Sequence, residues 1–240
     1  MGKETKIAWC DATVNFWTGC TKCAPECAHC YAERWAKRTG RDFSRVTRTA
    51  DATFYAPLKW KEPKRIFVES LGDFFHEDVD PAWRAEAWRV IWTACQHTYI
   101  IPTKRPGNIP AMLPGPLGWP DLFRHVWFLV SAGTNESLAR FWPVLRDIPG
   151  LSVRGISMEP LLENLELDRW WSPEPDRLPD WIIVAGESGP SRRAMPAGAA
   201  LDVCNWCERY QVRFFFKGHI GNVHTPANEL LDGKVYHEFP

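Results

Sequence analysis

The feature that most constrains this chain is a series of short apolar segments, each ending in polar residues and most followed by a helical pattern. Strand formers occur within residues 7–18, in Arg65-Ile-Phe-Val-Glu-Ser70, and at 98–102, 126–131, 151–157, 181–186 and 212–216. Their apolarity is continuous rather than alternating, which predicts strands covered on both faces. Short apolar strands separated by helices predict parallel β/α units. Helical patterns fall at 31–39, closing at Gly40; at 81–96, opened by Asp80-Pro81 as N-cap and first turn; at 135–147; and at about 197–209. In the second of these, Trp83, Ala87, Val90, Ile91 and Ala94 recur at helical spacing and define one buried face. Residues 41–63 carry no clear period and read as an excursion, 106–120 form a Pro-rich loop, and Asp232-Gly233 marks a turn. A chain of 240 residues lies within the range of α/β barrels built as one domain. The predicted fold is therefore α/β, a single domain over 1–240 forming an open or incomplete TIM-like barrel with parallel strands.

In such barrels the C-terminal strand ends carry the active site. The polar residues at those ends are Cys20; Glu69, Ser70, Asp73 and His76; Lys104 and Arg105; Ser131; Ser157 and Glu159; Glu187 and Ser188; and Lys217. Glu69, Asp73, Glu159 and Glu187 should converge on one mouth, where carboxylates bind a cation, an ammonium or a ribose, or move protons. The plainer alternative for each is a solvated side chain or a cap on the next helix. Lys104, Arg105 and Lys217 bring positive charge that suits a carboxylate or phosphate on a ligand, though a surface role serves Lys104 nearly as well. Gly186-Glu-Ser-Gly-Pro190 has the composition of a nest-like turn that admits close backbone approach. For His29 and His76 a structural hydrogen bond is the simpler role.

Four of the eight cysteines fall between residues 20 and 30, spaced C-x2-C-x3-C-x2-C in a loop over 19–34. Burying four small side chains in one short loop gains little packing, so their density calls for chemistry. A metal site, a disulfide or redox loop, and unligated thiols all remain open. The two pairs stand closer together than in most structural zinc sites, which makes a zinc ribbon the weaker metal assignment. Without Cys23, the remaining Cys20, Cys27 and Cys30 offer three thiolates and leave one coordination position open. Iron–sulfur clusters normally take four cysteines, so three suggest a [4Fe-4S] cluster whose fourth iron is reserved for another ligand. Cys10 and Cys95 read as small hydrophobes, and Cys204-x2-Cys207 as two helix positions with Cys207 buried.

The run Asn15-x3-Gly19-Cys20, Cys27-x2-Cys30-Tyr31-Ala32-x-Arg34 resembles the cluster loop of radical S-adenosylmethionine (SAM) enzymes related to spore photoproduct lyase. There the first spacing is three residues; here it is six, and Cys23 is additional. The whole chain, including the stretches around Thr103-Lys-Arg-Pro106, Met158-Glu-Pro160 and 186–190, resembles more closely the phage-associated three-cysteine-motif proteins, themselves radical-SAM-like. The resemblance implies a [4Fe-4S] cluster on Cys20, Cys27 and Cys30, SAM at its open iron, and radical chemistry on an unknown substrate. It also implies that Glu69 stands where radical SAM enzymes carry a glycine-glycine-glutamate element that binds the SAM amino group. Two further expectations stand beside it: a phage-type interaction protein that binds a host macromolecule around a structural cluster or zinc, and a nucleic-acid or nucleotide modification enzyme. Lys plus Arg and Asp plus Glu are both 29, so no global charge draws the chain to nucleic acid, and only a local patch would do so. No run of eighteen apolar residues occurs and the start Met1-Gly-Lys-Glu-Thr-Lys lacks a signal-peptide core, which predicts a cytoplasmic protein without membrane contact.

Overall fold

The computed structural model describes residues 5–115, 123–170, 178–221 and 223–240. Seven strands form one sheet: β1 (Ala12–Val14), β2 (Arg65–Val68), β3 (Thr98–Thr103), β4 (Val126–Ser131), β5 (Val153–Met158), β6 (Trp181–Ala185) and β7 (Arg213–Gly218). Their order in the sheet is their order in the chain, and every neighbouring pair is parallel. Helices α1 (Tyr31–Arg38), α2 (Pro81–Thr93), α3 (Asn135–Arg146) and α4 (Ala199–Tyr210) lie in the connections after β1, β2, β4 and β6.

Each strand offers alternate residues to two apolar faces. Ile66, Val68, Ile101, Phe128, Val130, Ile182, Val184 and Phe216 pack under Ala87 and Ile91 of α2, Leu138 and Trp142 of α3, and Val203 and Cys207 of α4. On the other face Ile100, Leu129, Trp181, Ile183 and Phe215 gather around Trp9. The Trp9 ring lies 4.8 Å from Phe67 on β2 and 6.3 Å from Trp181 on β6. In a flat sheet those strands would stand roughly 19 Å apart, so one indole reaches both only because the sheet curls into a half-barrel. β1 and β7 do not pair with each other, and the barrel stays open. The chain's tail covers the β7 edge: Phe216 N donates to Tyr236 O at 2.8 Å and Glu238 N to Phe214 O at 3.1 Å.

The seven predicted strands are the seven of the sheet, with shifted ends. The first is short because the chain turns at Asn15 into a separate ribbon, Trp17–Thr18 antiparallel to Thr47–Arg48. That ribbon, a helical turn at Asp51–Phe54 and a 3-10 turn at Ala56–Lys59 structure the region expected to be an excursion. Asp80 caps α2 as predicted, accepting from Ala82 N at 2.8 Å. On the helix face read from the sequence, Ala87, Val90, Ile91 and Ala94 are buried as expected and Trp83 is half-buried, while Arg84 and Trp88 are buried in addition. Trp88 packs edge-on against Phe74 at 4.9 Å, and the Arg84 guanidinium satisfies the Phe74 and His76 carbonyls. Cys10 is buried as expected, but Cys95 is exposed, since α2 ends at Thr93. Part of the Pro-rich loop, 116–120, lies outside the described residues. Among the described residues no helix is long and apolar enough to cross a membrane.

Candidate cofactor site at the barrel mouth

The cysteine loop leaves the sheet through Asn15, which is fully buried. Its Oδ1 accepts from Leu71 N at 2.7 Å and its Nδ2 donates to Ser70 Oγ at 3.0 Å, joining the ends of β1 and β2. Gly19 follows with φ +110°, under the Arg45 carbonyl where a Cβ would collide. Cys20 N then donates to Phe43 O at 2.8 Å. Arg105 clamps the next step: its Nη2 donates to Thr21 O at 3.1 Å and to Thr21 Oγ1 at 2.8 Å, and its Nη1 reaches Cys20 Sγ at 3.5 Å. His76 is completely buried and supports the same threonine. Its Nδ1 accepts from Asp78 N at 3.1 Å, which leaves Nε2–H to donate to Thr21 Oγ1 at 2.9 Å. Burial first, then the Arg105 charge, lowers the His76 pKa and keeps this tautomer neutral.

The middle of the loop is held by a residue the sequence reading passed over. Glu26, in the 3-10 turn Pro25–Cys27, is buried and reaches the start of α3. It accepts from Gly133 N at 2.7 Å, Thr134 Oγ1 at 3.2 Å and Ser137 Oγ at 2.8 Å. The favourable place of a carboxylate at a helix N-terminus explains the choice of residue. Nothing in Pro25-Glu26-Cys27 marks this contact in the sequence.

Above the apolar floor lies a cavity of about 430 Å³. Cys20, Cys27 and Cys30 line it, together with Glu69, Ser70, Ser131, Glu159, Glu187, Ser188 and Lys217, so the fold brings the strand-end candidates of the sequence to one place, His76 excepted. Cys23 is oriented differently, its Sγ directed at the Lys104 carbonyl at 3.9 Å. The neighbouring Cys23 thiol lowers the Cys27 pKa, and the Lys104 charge lowers it further, against burial. Cys23 itself is raised. Burial, then the Asp73 charge, pushes the Cys20 thiol up to about 12 despite Arg105. The Cys27, Glu26 and Asp73 charges outweigh burial and raise the Lys104 pKa, so its ammonium faces the cysteines charged. Among the described residues no group of three or more His, Cys, Asp or Glu side chains is placed to hold a single ion. A four-iron cluster spreads its thiolates over the corners of a cube, wider than one ion permits, and three cysteines of one loop on one cavity wall suit that donor set.

The carboxylates differ in how much of them remains free. Glu187 Oε2 accepts from Arg193 N at 2.6 Å, Arg193 Nε at 3.1 Å and His29 Nδ1 at 2.9 Å, while Oε1 takes Arg193 Nη2 at 2.6 Å. Against burial, these bonds to Arg193 and His29 hold its pKa at about 2. Glu159 pairs with Lys217 at 2.8 Å and also accepts from Trp9 Nε1 at 2.9 Å and Ser157 Oγ at 3.3 Å. Asp73 is saturated by Thr103 Oγ1, Phe75 N, Lys104 N and Arg105. Glu69 is the exception. It is buried in the left-handed region at φ +64°, and its Oε1 accepts from Phe16 N at 2.6 Å and Trp17 N at 3.3 Å. Its Oε2 is buried without a partner among the described residues, and burial raises its pKa well above the ordinary carboxylate value. Glu69 thus combines a backbone conformation that non-glycine residues rarely adopt with a polar atom left unsatisfied.

A family model described as "Protein of unknown function (DUF5131)" matches residues 4–240. Neither the curated proteins nor the solved structures contain a match to the chain.

Proposed function

Because the chain belongs to the DUF5131 family, whose function is unassigned, we propose from its own geometry that it is a radical-SAM-type iron–sulfur protein. Cys20, Cys27 and Cys30 would hold a [4Fe-4S] cluster, and Glu69 would bind the amino group of SAM. When bound, the cluster would supply one electron to reductive SAM chemistry on a substrate held at the cavity. The observation that carries this reading is the orphaned Oε2 of Glu69, a residue that lines the cavity together with three cysteines. A buried carboxylate oxygen without a donor calls for one, and a ligand ammonium supplies it.

The other residues take supporting parts. Arg105, His76 and Glu26 fix the loop so that its thiols meet the cavity. Lys104 offsets the negative charge that thiolates bring. Trp9 and the Glu159–Lys217 pair close the floor against water. Ser70, Ser131 and Ser188 line the walls and offer hydroxyls to a ribose or a carboxylate.

The test is metal analysis after anaerobic purification and reconstitution. The expected result is about four irons per chain with broad absorbance at about 400 nm. Stoichiometric zinc without iron would overturn the enzyme reading in favour of a structural site on a macromolecule-binding protein.

A further inference from the structure

Resting on the proposed cofactor site, a second consequence follows from size. A cavity of about 430 Å³ stands near the lower end of ligand pockets, roughly 300–1,000 Å³, and a cluster with a nucleoside-sized cofactor fills it. The substrate then meets the site at its rim, and the chemistry of the rim selects it.

That rim is strongly one-sided. Residues 31–48, covering α1 and the segment after it, hold six basic side chains against two acids, Glu33 and Asp42, in a chain with no net charge. Arg34 is engaged by the carbonyls of His29 and Ser188, and Arg48 by Asp51 and Glu86. The other four, Lys37, Arg38, Arg41 and Arg45, are exposed and make no salt bridge among the described residues, although the Arg45 charge acts on Asp42. Aromatics alternate with them. Tyr31 is 43% exposed and lines the cavity, Phe43 lines it too, and Trp35 lies 5.4 Å beneath the Arg41 guanidinium. This segment is joined to the cysteine loop, since the Phe43 carbonyl accepts from Cys20 N and the Arg45 carbonyl covers Gly19. On the loop's other flank, Glu77, Asp78 and Asp80 reverse the sign.

Exposed cations interleaved with aromatic side chains, on a segment whose Tyr31 and Phe43 line the cavity, suit a polymer whose phosphates pair with the cations while its bases stack on the rings. We propose that the rim formed by residues 31–45 docks single-stranded nucleic acid and that the substrate is a nucleotide within it.

The test is fluorescence anisotropy of a labelled oligodeoxythymidylate and an oligouridylate with the reconstituted protein across a salt series. Four phosphate contacts predict a log–log salt slope of about −3 on a single strand. Lys37→Glu, Arg38→Glu, Arg41→Glu and Arg45→Glu together should abolish binding at physiological salt while iron content stays at the wild-type value. Tyr31→Ala should weaken oligonucleotide binding about tenfold yet leave heparin binding unchanged, which a purely ionic surface would not do. The rim does not require the cluster, so a Cys20→Ala, Cys27→Ala, Cys30→Ala variant should still bind; a failed cofactor reading therefore leaves this measurement interpretable. Wild-type affinity in the quadruple variant overturns the proposal, as does equal binding to vesicles of anionic phospholipid.

Discussion

Replacing Glu69 by Gln separates the role of its two oxygens. Oε1 carries the backbone: it accepts from Phe16 N and Trp17 N, and an amide oxygen accepts both equally well. Oε2 has no partner, and a Cβ at Gly72 would lie 3.0 Å from it, so the space is shaped for an atom of that size. An amide nitrogen there fits but cannot accept from an ammonium. The loss is one charge-assisted hydrogen bond, about 1.5–3 kcal/mol, or one to two decades of affinity. Calorimetric titration of SAM into anaerobically reconstituted wild type and Glu69→Gln measures it, with the cluster absorbance as control. Glu69→Ala is less informative, because it also strands two buried N–H groups. Unchanged affinity in Glu69→Gln with an intact cluster would refute the assignment of the ammonium to this carboxylate. Absence of SAM binding in cluster-loaded wild type would refute the cofactor itself.

Further outcomes follow from the same geometry. Since burial raises the Glu69 pKa and an ammonium binds its ionised form, SAM binding should release a proton and tighten as pH rises toward that pKa; calorimetry in buffers of different ionisation enthalpy reads the release. Cys20→Ala, Cys27→Ala or Cys30→Ala should each abolish the iron, while Cys23→Ala should keep most of it, and equal damage from Cys23→Ala would indicate a four-thiolate site without an open iron. Glu26→Ala removes three hydrogen bonds to the start of α3 and should cost on the order of 3 kcal/mol in denaturant unfolding, with loss of iron although every cysteine remains. Glu187, held at about 2 in the folded chain, is a carboxylate with a depressed pKa, so its contribution is complete above the unfolded value near 4.5 and disappears as pH falls toward 2. Acid unfolding of Glu187→Gln should lose that step, up to about 3 kcal/mol, whereas an unchanged profile would argue against the Arg193 contact.

The strands were legible because each is a continuous apolar run buried on both faces, a pattern that requires no knowledge of partners. The cavity lining was legible for a related reason: residues immediately after parallel strands have only one end of a barrel to occupy. Contacts made by single side chains across long separations left no trace in the sequence. Glu26 meets Ser137 across 111 positions, and Arg193 meets the Pro25 carbonyl across 168. Nothing local in Pro-Glu-Cys or Ser-Arg-Arg distinguishes these residues from surface charges. At α2, Ala87, Val90, Ile91 and Ala94 were legible as core, whereas Trp88 and Arg84 were not, because they are buried by Phe74 and His76, which follow β2 and carry no helical period of their own.

The sequence presented Glu69, Glu159 and Glu187 as three equal carboxylates, and the fold makes them unequal through their neighbours. Arg193 and His29 bind Glu187 so firmly that any incoming cation must first displace them. Glu159 already faces Lys217 at 2.8 Å, and that pair is nearly closed to solvent, so separating it would strand a buried charge. Glu69 has no such debt: its free oxygen is desolvated before any ligand arrives, and pairing it removes an existing penalty rather than trading one partner for another. A ligand ammonium entering the cavity therefore gains most at Glu69, which stands at the end of β2 and is tied through Phe16 and Trp17 to the segment that leads into Cys20.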